Sequence, residues 1–205
     1  MKLGKSVLVA FFLFLILWNA GGAYATAVER GENETVEEFV MRFAPPDSKI
    51  VHKIIQTSNW ISNHSAIIVF YEHPDTRFNK NQSSDGEQLV TGMLFVQNSS
   101  QQYNKYLIGD YEIEGVTAEI NSVFFEKVGK AHEKDLFVMV SWTTRNNAVY
   151  STYIYQPPAM DSKTDKLVYL EDLSKQFFSM ELGPDQRAVY TTASEIRAAL
   201  KKMDK

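Results

Sequence analysis

The sequence of 205 residues contains no cysteine. Disulfide bonds, thiolate metal sites and cysteine nucleophiles are therefore excluded, and the fold has to be stabilised by packing alone. Its ten glycines are scattered, so no glycine-rich loop enters a helix where a phosphate group would bind. A G-x-S-x-G motif is also absent, which removes the strained serine turn on which one large class of hydrolases depends.

Positive charge is in short supply. The chain has 21 Lys and Arg against 25 Asp and Glu, and a formal net charge of -4. Two of the lysines, Lys2 and Lys5, belong to the extreme N-terminus, and without them 19 basic residues face 25 acidic ones. Such a surface is unsuited to binding nucleic acid or anionic lipid.

The N-terminus has the three parts of a secretory signal peptide. Lys2 and Lys5 precede an apolar run from Val7 to Trp18, and Ala23-Tyr24-Ala25 supplies a small-residue cleavage site. We predict a signal peptide over residues 1–25 with cleavage after Ala25, while Ala25-Thr26-Ala27 offers a second cut before Val28. The protein is then periplasmic or secreted, with no stable membrane insertion after cleavage.

An alternative keeps the hydrophobic run. If residues 7–18 stay uncleaved, they form an anchor, and the protein is a membrane-tethered structural protein. The run is 12 residues long, whereas a helix that spans the hydrocarbon core needs about 20. The cleaved signal peptide is therefore the preferred interpretation.

Residues 26–205 are long enough for a single globular domain with a substantial core. Short runs rich in Val, Ile, Phe and Tyr alternate with polar clusters, which is typical of β-strands. We predict strands near 50–57, 65–72, 88–97, 105–113, 118–128, 135–144 and 148–156. The short polar connections favour antiparallel neighbours, so the predicted class is α+β with an antiparallel meander sheet of about six to seven strands.

Three helices are predicted around this sheet. Thr35-Val36-Glu37-Glu38 has the capping-box spacing at the start of an N-terminal helix that Pro45-Pro46 ends. Thr192-Ala193-Ser194-Glu195 repeats that spacing before a C-terminal helix. A third helix is predicted near 167–178, where apolar residues approximate helical spacing.

The segment 120–142 contains two apolar strands around a polar turn, which predicts a hairpin. It resembles the strand-turn-strand unit of FG-GAP or VCBS repeats, which is found as a single copy in small exported bacterial proteins of unknown function. The acidic turn of that unit holds Ca²⁺, but here Lys127, Gly129 and Ala131 stand at the matching positions and only Glu133 and Asp135 are acidic. The resemblance implies a fold neighbourhood and an exported location, and we predict no metal and no cofactor.

Asp110, Glu112 and Glu114 alternate along one predicted strand, so their carboxylates share a face. Together with Glu119 they are the candidates for a general acid and base in a carboxylate-dependent hydrolase. The alternative is a solvated sheet edge that repelling charge protects from pairing.

Aromatic and imidazole side chains are the other candidates. Tyrosines on two predicted strands form a possible binding face, because each offers a rigid ring and a hydroxyl, or else they pack in the sheet. These tyrosines are Tyr103, Tyr106, Tyr150, Tyr153 and Tyr155. The four histidines lie in different elements without ligand spacing, and His73-Pro74-Asp75 is interpreted as a turn.

These observations predict an exported binding or interaction protein of the cell envelope rather than an enzyme. The expected partner is another envelope or secreted protein, and nucleic acid is not expected. The hydrolase and the tethered structural protein remain as alternatives. Neither the ligand nor the oligomeric state follows from the sequence.

Overall fold

The fold is described from a computed structural model. It covers the following residues: 25–61, 64–75, 88–112, 116–129, 133–144, 147–160, 164–182 and 186–203. Over these ranges the chain is mostly antiparallel β-sheet with few helices. The predicted antiparallel sheet is confirmed, but the strands divide between two sheets instead of forming one meander.

The first sheet contains six strands in the described part of the chain. They are β1 (Thr26–Glu29), β2 (Lys49–Ile50), β3 (Ile55–Ile61), β4 (His64–Pro74), β5 (Gln88–Gln97) and β6 (Gln102–Tyr111). The order across the sheet is β1-β6-β5-β4, and both β2 and β3 pair with β4. Strand β4 is buried without interruption from Ala66 to Tyr71, which fits its continuous apolar run and its central place.

The second sheet contains four strands in the described ranges. They are β7 (Glu119–Glu126), β8 (Asp135–Thr143), β9 (Asn147–Tyr155) and β10 (Ser179–Leu182), in the order β10-β9-β8-β7. The predicted hairpin of segment 120–142 is the pair β7 and β8, with Glu126 opposite Asp135. Strand β8 is buried on both faces from Asp135 to Trp142.

The main core lies between the two sheets. It joins side chains of β4, β5 and β6 with side chains of β7, β8 and β9, among them Phe70, Leu94, Val138 and Trp142. Successive side chains of a strand point to opposite faces, so each sheet also presents an outer apolar face. A sandwich of two sheets therefore needs two further covering layers.

Helix α1 (Val36–Met41) covers the outer face of the first sheet. Thr35 is its N-cap and makes a capping box with Glu38, and Phe39 and Val40 are fully buried against the sheet. The hydroxyl of Tyr71 on β4 donates to the carbonyl oxygen of Val40 at 2.6 Å. This bond fixes the end of the helix on the sheet.

The C-terminal region covers the outer face of the second sheet. Helix α3 (Ala193–Met203) buries Ile196 and Leu200 there, and Glu195 accepts hydrogen bonds from the backbone of Thr191 and Thr192 at its start. The helix predicted near 167–178 is much shorter in the structure. It forms only α2 (Glu171–Ser174) and a 3-10 turn at Lys175–Phe177.

The residues before α2 are extended because they connect the two sheets. The backbone of Leu107 on β6 bonds to Asp165 and Leu167, and the backbone of Leu170 bonds to Ile154 on β9. These pairings use backbone groups that a helix would keep for itself. Residues 165–170, here called the strap, thus close one side of the sandwich.

Trp60 closes the opposite side. Its Nε1 donates to the carbonyl oxygen of Lys134 in the second sheet's hairpin at 2.8 Å, and its ring lies 4.9 Å from that of Phe125 on β7. The indole therefore joins β3 to the second sheet by packing and by one hydrogen bond.

At Gly109 a side chain of the second sheet lies against the backbone of the first sheet. The Tyr155 side chain of β9 lies against the backbone of Gly109 on β6, and a β-carbon at that position would overlap the tyrosine hydroxyl. Both residues lie next to the strap, because Tyr155 pairs with Tyr169 and Leu107 with Lys166. A side chain at position 109 would push the sheets apart.

We predict that Gly109→Ala destabilises the protein by about 2 to 3 kcal/mol, the usual cost of overpacking a core. The double variant Gly109→Ala with Tyr155→Phe removes the overlapping hydroxyl, so its loss should be smaller than the sum of the two single losses. Urea unfolding of the four proteins measures this coupling. Additive losses would contradict a clash between these two residues.

Candidate functional site

The three predicted carboxylates that the structure describes, Asp110, Glu112 and Glu119, are divided between the two sheets. Asp110 is exposed on β6, Glu112 is exposed just beyond the end of that strand, and Glu119 is exposed at the start of β7 in the other sheet. Because β6 ends at Tyr111, the expected alternation does not continue past Asp110. Glu114 lies outside the described residues.

Asp110 has a different set of neighbours from the one expected. Thr91 on β5 lies opposite Asp110 in the register, and its Oγ1 donates to Oδ1 of Asp110 at 2.7 Å. Oγ1 of Thr91 also lies 2.9 Å from Nε2 of His73 on β4. A buried hydroxyl thus connects an imidazole and an exposed carboxylate across three adjacent strands.

The part played by His73 was missed at the sequence level. The turn expected at His73-Pro74-Asp75 is strand through Pro74, because β4 pairs with β5 as far as Gln88. Side chains two residues apart on a strand share a face, so Tyr71 and His73 point the same way. That alternation was visible in the sequence, but only the register of β4 on β5 places Thr91 within reach.

The five candidate tyrosines do not share a face. Tyr103 packs beneath α1, with its ring 5.0 Å from that of Phe39. Tyr106, Tyr153 and Tyr155 lie between the two sheets, and Tyr150 is half-buried on β9 opposite Ser179. The structure therefore brings together only those tyrosines that belong to the core.

The tyrosines of the core form a ring cluster next to the strap. The ring of Tyr153 lies 4.9 Å from that of Tyr111 and 5.8 Å from that of Tyr169. Burial raises the pKa of the Tyr111, Tyr153 and Tyr155 hydroxyls above the ordinary value. These phenols stay protonated at neutral pH, and their rings pack in the core between the sheets.

Asp135 is a buried carboxyl at the start of β8. Only 6% of the residue is exposed, and burial raises its pKa from 3.8 to about 6. Loss of water disfavours the charged form, so the native protein retains a proton that the unfolded chain releases. Between about pH 4 and pH 6 the native state therefore binds more protons than the unfolded state, and its stability falls as the pH rises through this window.

We predict that Asp135→Asn stabilises the protein at pH 7.5 and has little effect near pH 3.5. The full shift corresponds to at most about 3 kcal/mol, and residual contact with water reduces it, so we expect about 1 to 2 kcal/mol. Urea unfolding at both pH values measures the difference. Asp172→Asn, on the exposed first turn of α2, controls for the loss of one negative charge, and equal effects of the two variants would refute the assignment.

An apolar surface is exposed at the start of β10. Phe178 is 50% and Val189 is 61% exposed, and the backbone of Val189 donates to the hydroxyl of Ser179, the residue after Phe178, at 3.1 Å. The adjacent Phe177 is buried, and its ring lies 5.4 Å from that of Tyr190. Phe178 and Val189, here called the C-terminal patch, are therefore held at the surface by a packed layer beneath them.

The opposite outer layer is acidic. Arg42, after α1, pairs with both carboxylate oxygens of Glu34 and donates to the carbonyl oxygen of Glu29. The Arg42 guanidinium lowers the pKa of Glu34. A shallow surface depression here is lined by Glu29, Gly31, Glu34, Glu38, Met41 and Arg42. Neither Asp110, Glu112 nor Glu119 lines it.

The remaining expectations concern a metal site, a membrane-spanning helix and the N-terminal segment. Among the described residues, no group of three or more His, Asp and Glu side chains is arranged to hold a metal ion, and part of the turn between β7 and β8 lies outside them. No described helix is both long and apolar enough to span a bilayer. Residues 1–24 are outside the described ranges, and they include all of the predicted signal peptide 1–25 except Ala25 and the whole of the alternative anchor 7–18.

Comparisons with known proteins add no relative. No family model, curated protein or solved structure matches the chain.

Proposed function

We propose that the chain is an exported, non-enzymatic interaction protein of the cell envelope that binds another protein through the C-terminal patch. The exposure of Phe178 and Val189 carries this proposal. Large apolar side chains that a folded protein leaves exposed are candidates for a binding site. The excess of acidic residues supports a protein partner and not nucleic acid.

Export is part of the proposal. Strand β1 begins at Thr26, and each of its four residues pairs with β6. Cleavage after Ala25 would keep all four pairs, whereas cleavage after Ala27 would remove two of them. The strand therefore supports the first cut, and it is compatible with one domain over residues 26–205.

The finer fold class and the resemblance also remain proposals. We keep α+β, because capped helices cover the outer faces of both sheets. The likeness to single FG-GAP or VCBS units is supported only by the hairpin of β7 and β8.

We predict that the processed protein captures an envelope or secreted protein and that changing the C-terminal patch abolishes capture. The bait is the exported product, whose intact mass also reports the cleavage site or a retained anchor. With Phe178→Ser and Val189→Ser combined, binding should weaken at least about 30-fold, the loss of a hot spot of about 2 kcal/mol. Mass spectrometry identifies the captured protein, and titration with the purified pair measures the Kd.

Val168→Ser is the matched control, because Val168 is 55% exposed but lies on the strap. Its Kd should equal that of the wild type, and all the variants should show the wild-type Tm. A Kd unchanged by the double substitution would rule out the patch as the binding site.

A carboxylate-dependent hydrolase is the second candidate, favoured by the contacts from Asp110 through Thr91 to His73. If the protein hydrolyses a glycosidic, ester or peptide substrate, Asp110→Asn and His73→Gln should each lower kcat at least about 100-fold, since general acid and base catalysis contributes that much. Glu119→Gln is the control, because this residue lies in the other sheet. No turnover across a broad substrate panel removes this candidate.

A further inference from the structure

Three of the exposed apolar side chains, Met41, Val189 and Met203, lie in two segments of opposite charge. Six large apolar or aromatic side chains are exposed in the described residues; five lie between Val168 and Met203, and the sixth is Met41. Met41 belongs to residues 29–42, here called the α1 segment, which hold five glutamates and two arginines. Val189 and Met203 belong to residues 186–203, the α3 segment, which hold four basic residues and one glutamate.

Hydrogen bonds and ion pairs within each segment increase the difference in charge between the two segments. In the α1 segment both arginines bond within the segment, Arg42 to Glu34 and Arg30 to the carbonyl oxygen of Glu34, while Glu32 and Glu37 are exposed. The surplus there is negative.

In the α3 segment the carboxylate of the one glutamate, Glu195, accepts hydrogen bonds from Thr191 and Thr192 at the helix start. Arg197 pairs with Glu126 and stacks on the Phe124 ring. The exposed charges that remain include Arg187, Lys201 and Lys202, so the surplus there is positive.

The two segments lie on opposite outer faces of the sandwich. Helix α1 packs on the outer face of the first sheet, and α3 packs on the outer face of the second. An apolar centre with a charged rim is the usual composition of a protein interface, and methionine is enriched at such centres. The surplus charge of each face is thus opposite in sign to that of the other.

We infer that the partner of the α3 segment is a second copy of this chain, which docks the α1 segment around Met41 against Val189 and Met203. This inference rests on the proposed function, because Val189 is part of the C-terminal patch. The contact joins two different faces, so it is heterologous and builds open chains unless a rotation closes them into a ring. Opposite rim charges make the association sensitive to salt.

The test is sedimentation of the processed wild-type protein over a concentration series up to about 500 µM, a range that detects a Kd near 100 µM. We expect the mean mass to rise with concentration and the apparent Kd to increase at least about tenfold between 0.1 and 0.5 M NaCl. Two charge-reversed proteins follow. One carries Lys201→Glu with Lys202→Glu, and the other carries Glu32→Lys with Glu37→Lys.

Each reversed protein alone should be monomeric, and an equal mixture of the two should associate, because the mixture restores opposite charges across the contact. Lys53→Glu with Lys127→Glu makes the same change in net charge as the reversal of Lys201 and Lys202, but outside both segments, and should associate like the wild type. Circular dichroism and Tm verify that each variant is folded.

A wild-type protein that stays monomeric throughout, or reversed proteins that fail to associate when mixed, would overturn the inference. If self-association fails but a different protein is captured, and this capture requires Phe178 and Val189, the proposed function still holds. Self-association that survives every charge reversal would also overturn the assignment of this contact.

Discussion

Burial of both faces of two sheets is the constraint on which the rest of the structure depends. Strand β4 is buried from Ala66 to Tyr71 and strand β8 from Asp135 to Trp142, so the middle of each sheet is closed to water on both faces. The sheets cover one another in the middle, and α1 and the C-terminal region cover the outer faces. Without cysteine, this packing has to supply the stability that disulfides supply in many small exported domains.

The close packing at Gly109 explains why several local features occur together. Tyr155 approaches the backbone of β6 there, the strap bonds to β6 two residues earlier, and the pairing of β5 with β6 shifts register between Gly92 and Met93. A shift of this kind increases local twist and lets a neighbouring element reach the strand. The strap, the glycine and the register shift are thus parts of one junction between the sheets.

Local patterns predicted the elements better than their pairing. The strand expected at 88–97 is β5 (Gln88–Gln97) and that at 135–144 is β8 (Asp135–Thr143), because continuous apolar runs bounded by polar turns are local signals. The region 50–57 divides into parts of β2 and β3, and both pair with β4. The division into two sheets depends on contacts between distant residues, which no short window of sequence contains.

The same limit applied to the candidate sites. Asp110 was recognised as a candidate from its alternation with its neighbours, yet its contact with Thr91 follows from strand register. A helix was predicted from the nearly helical spacing of Leu170, Leu173, Phe177 and Phe178. That prediction gave no sign that Phe178 is exposed while Phe177 is buried. A short helix followed by an edge strand produces an apolar pattern that resembles one longer helix.

The covered sheets also limit where this protein is able to recognise another molecule. Tyr111, Tyr153 and Tyr155 pack in the core between the sheets, and burial raises the pKa of their hydroxyls. The covering layers and the connections have outer surfaces that contact solvent. There the chain exposes Phe178 and Val189 over a packed base. A rigid base lowers the entropy cost of ordering a binding surface, so a small apolar patch on it binds more tightly than the same residues on a loose loop.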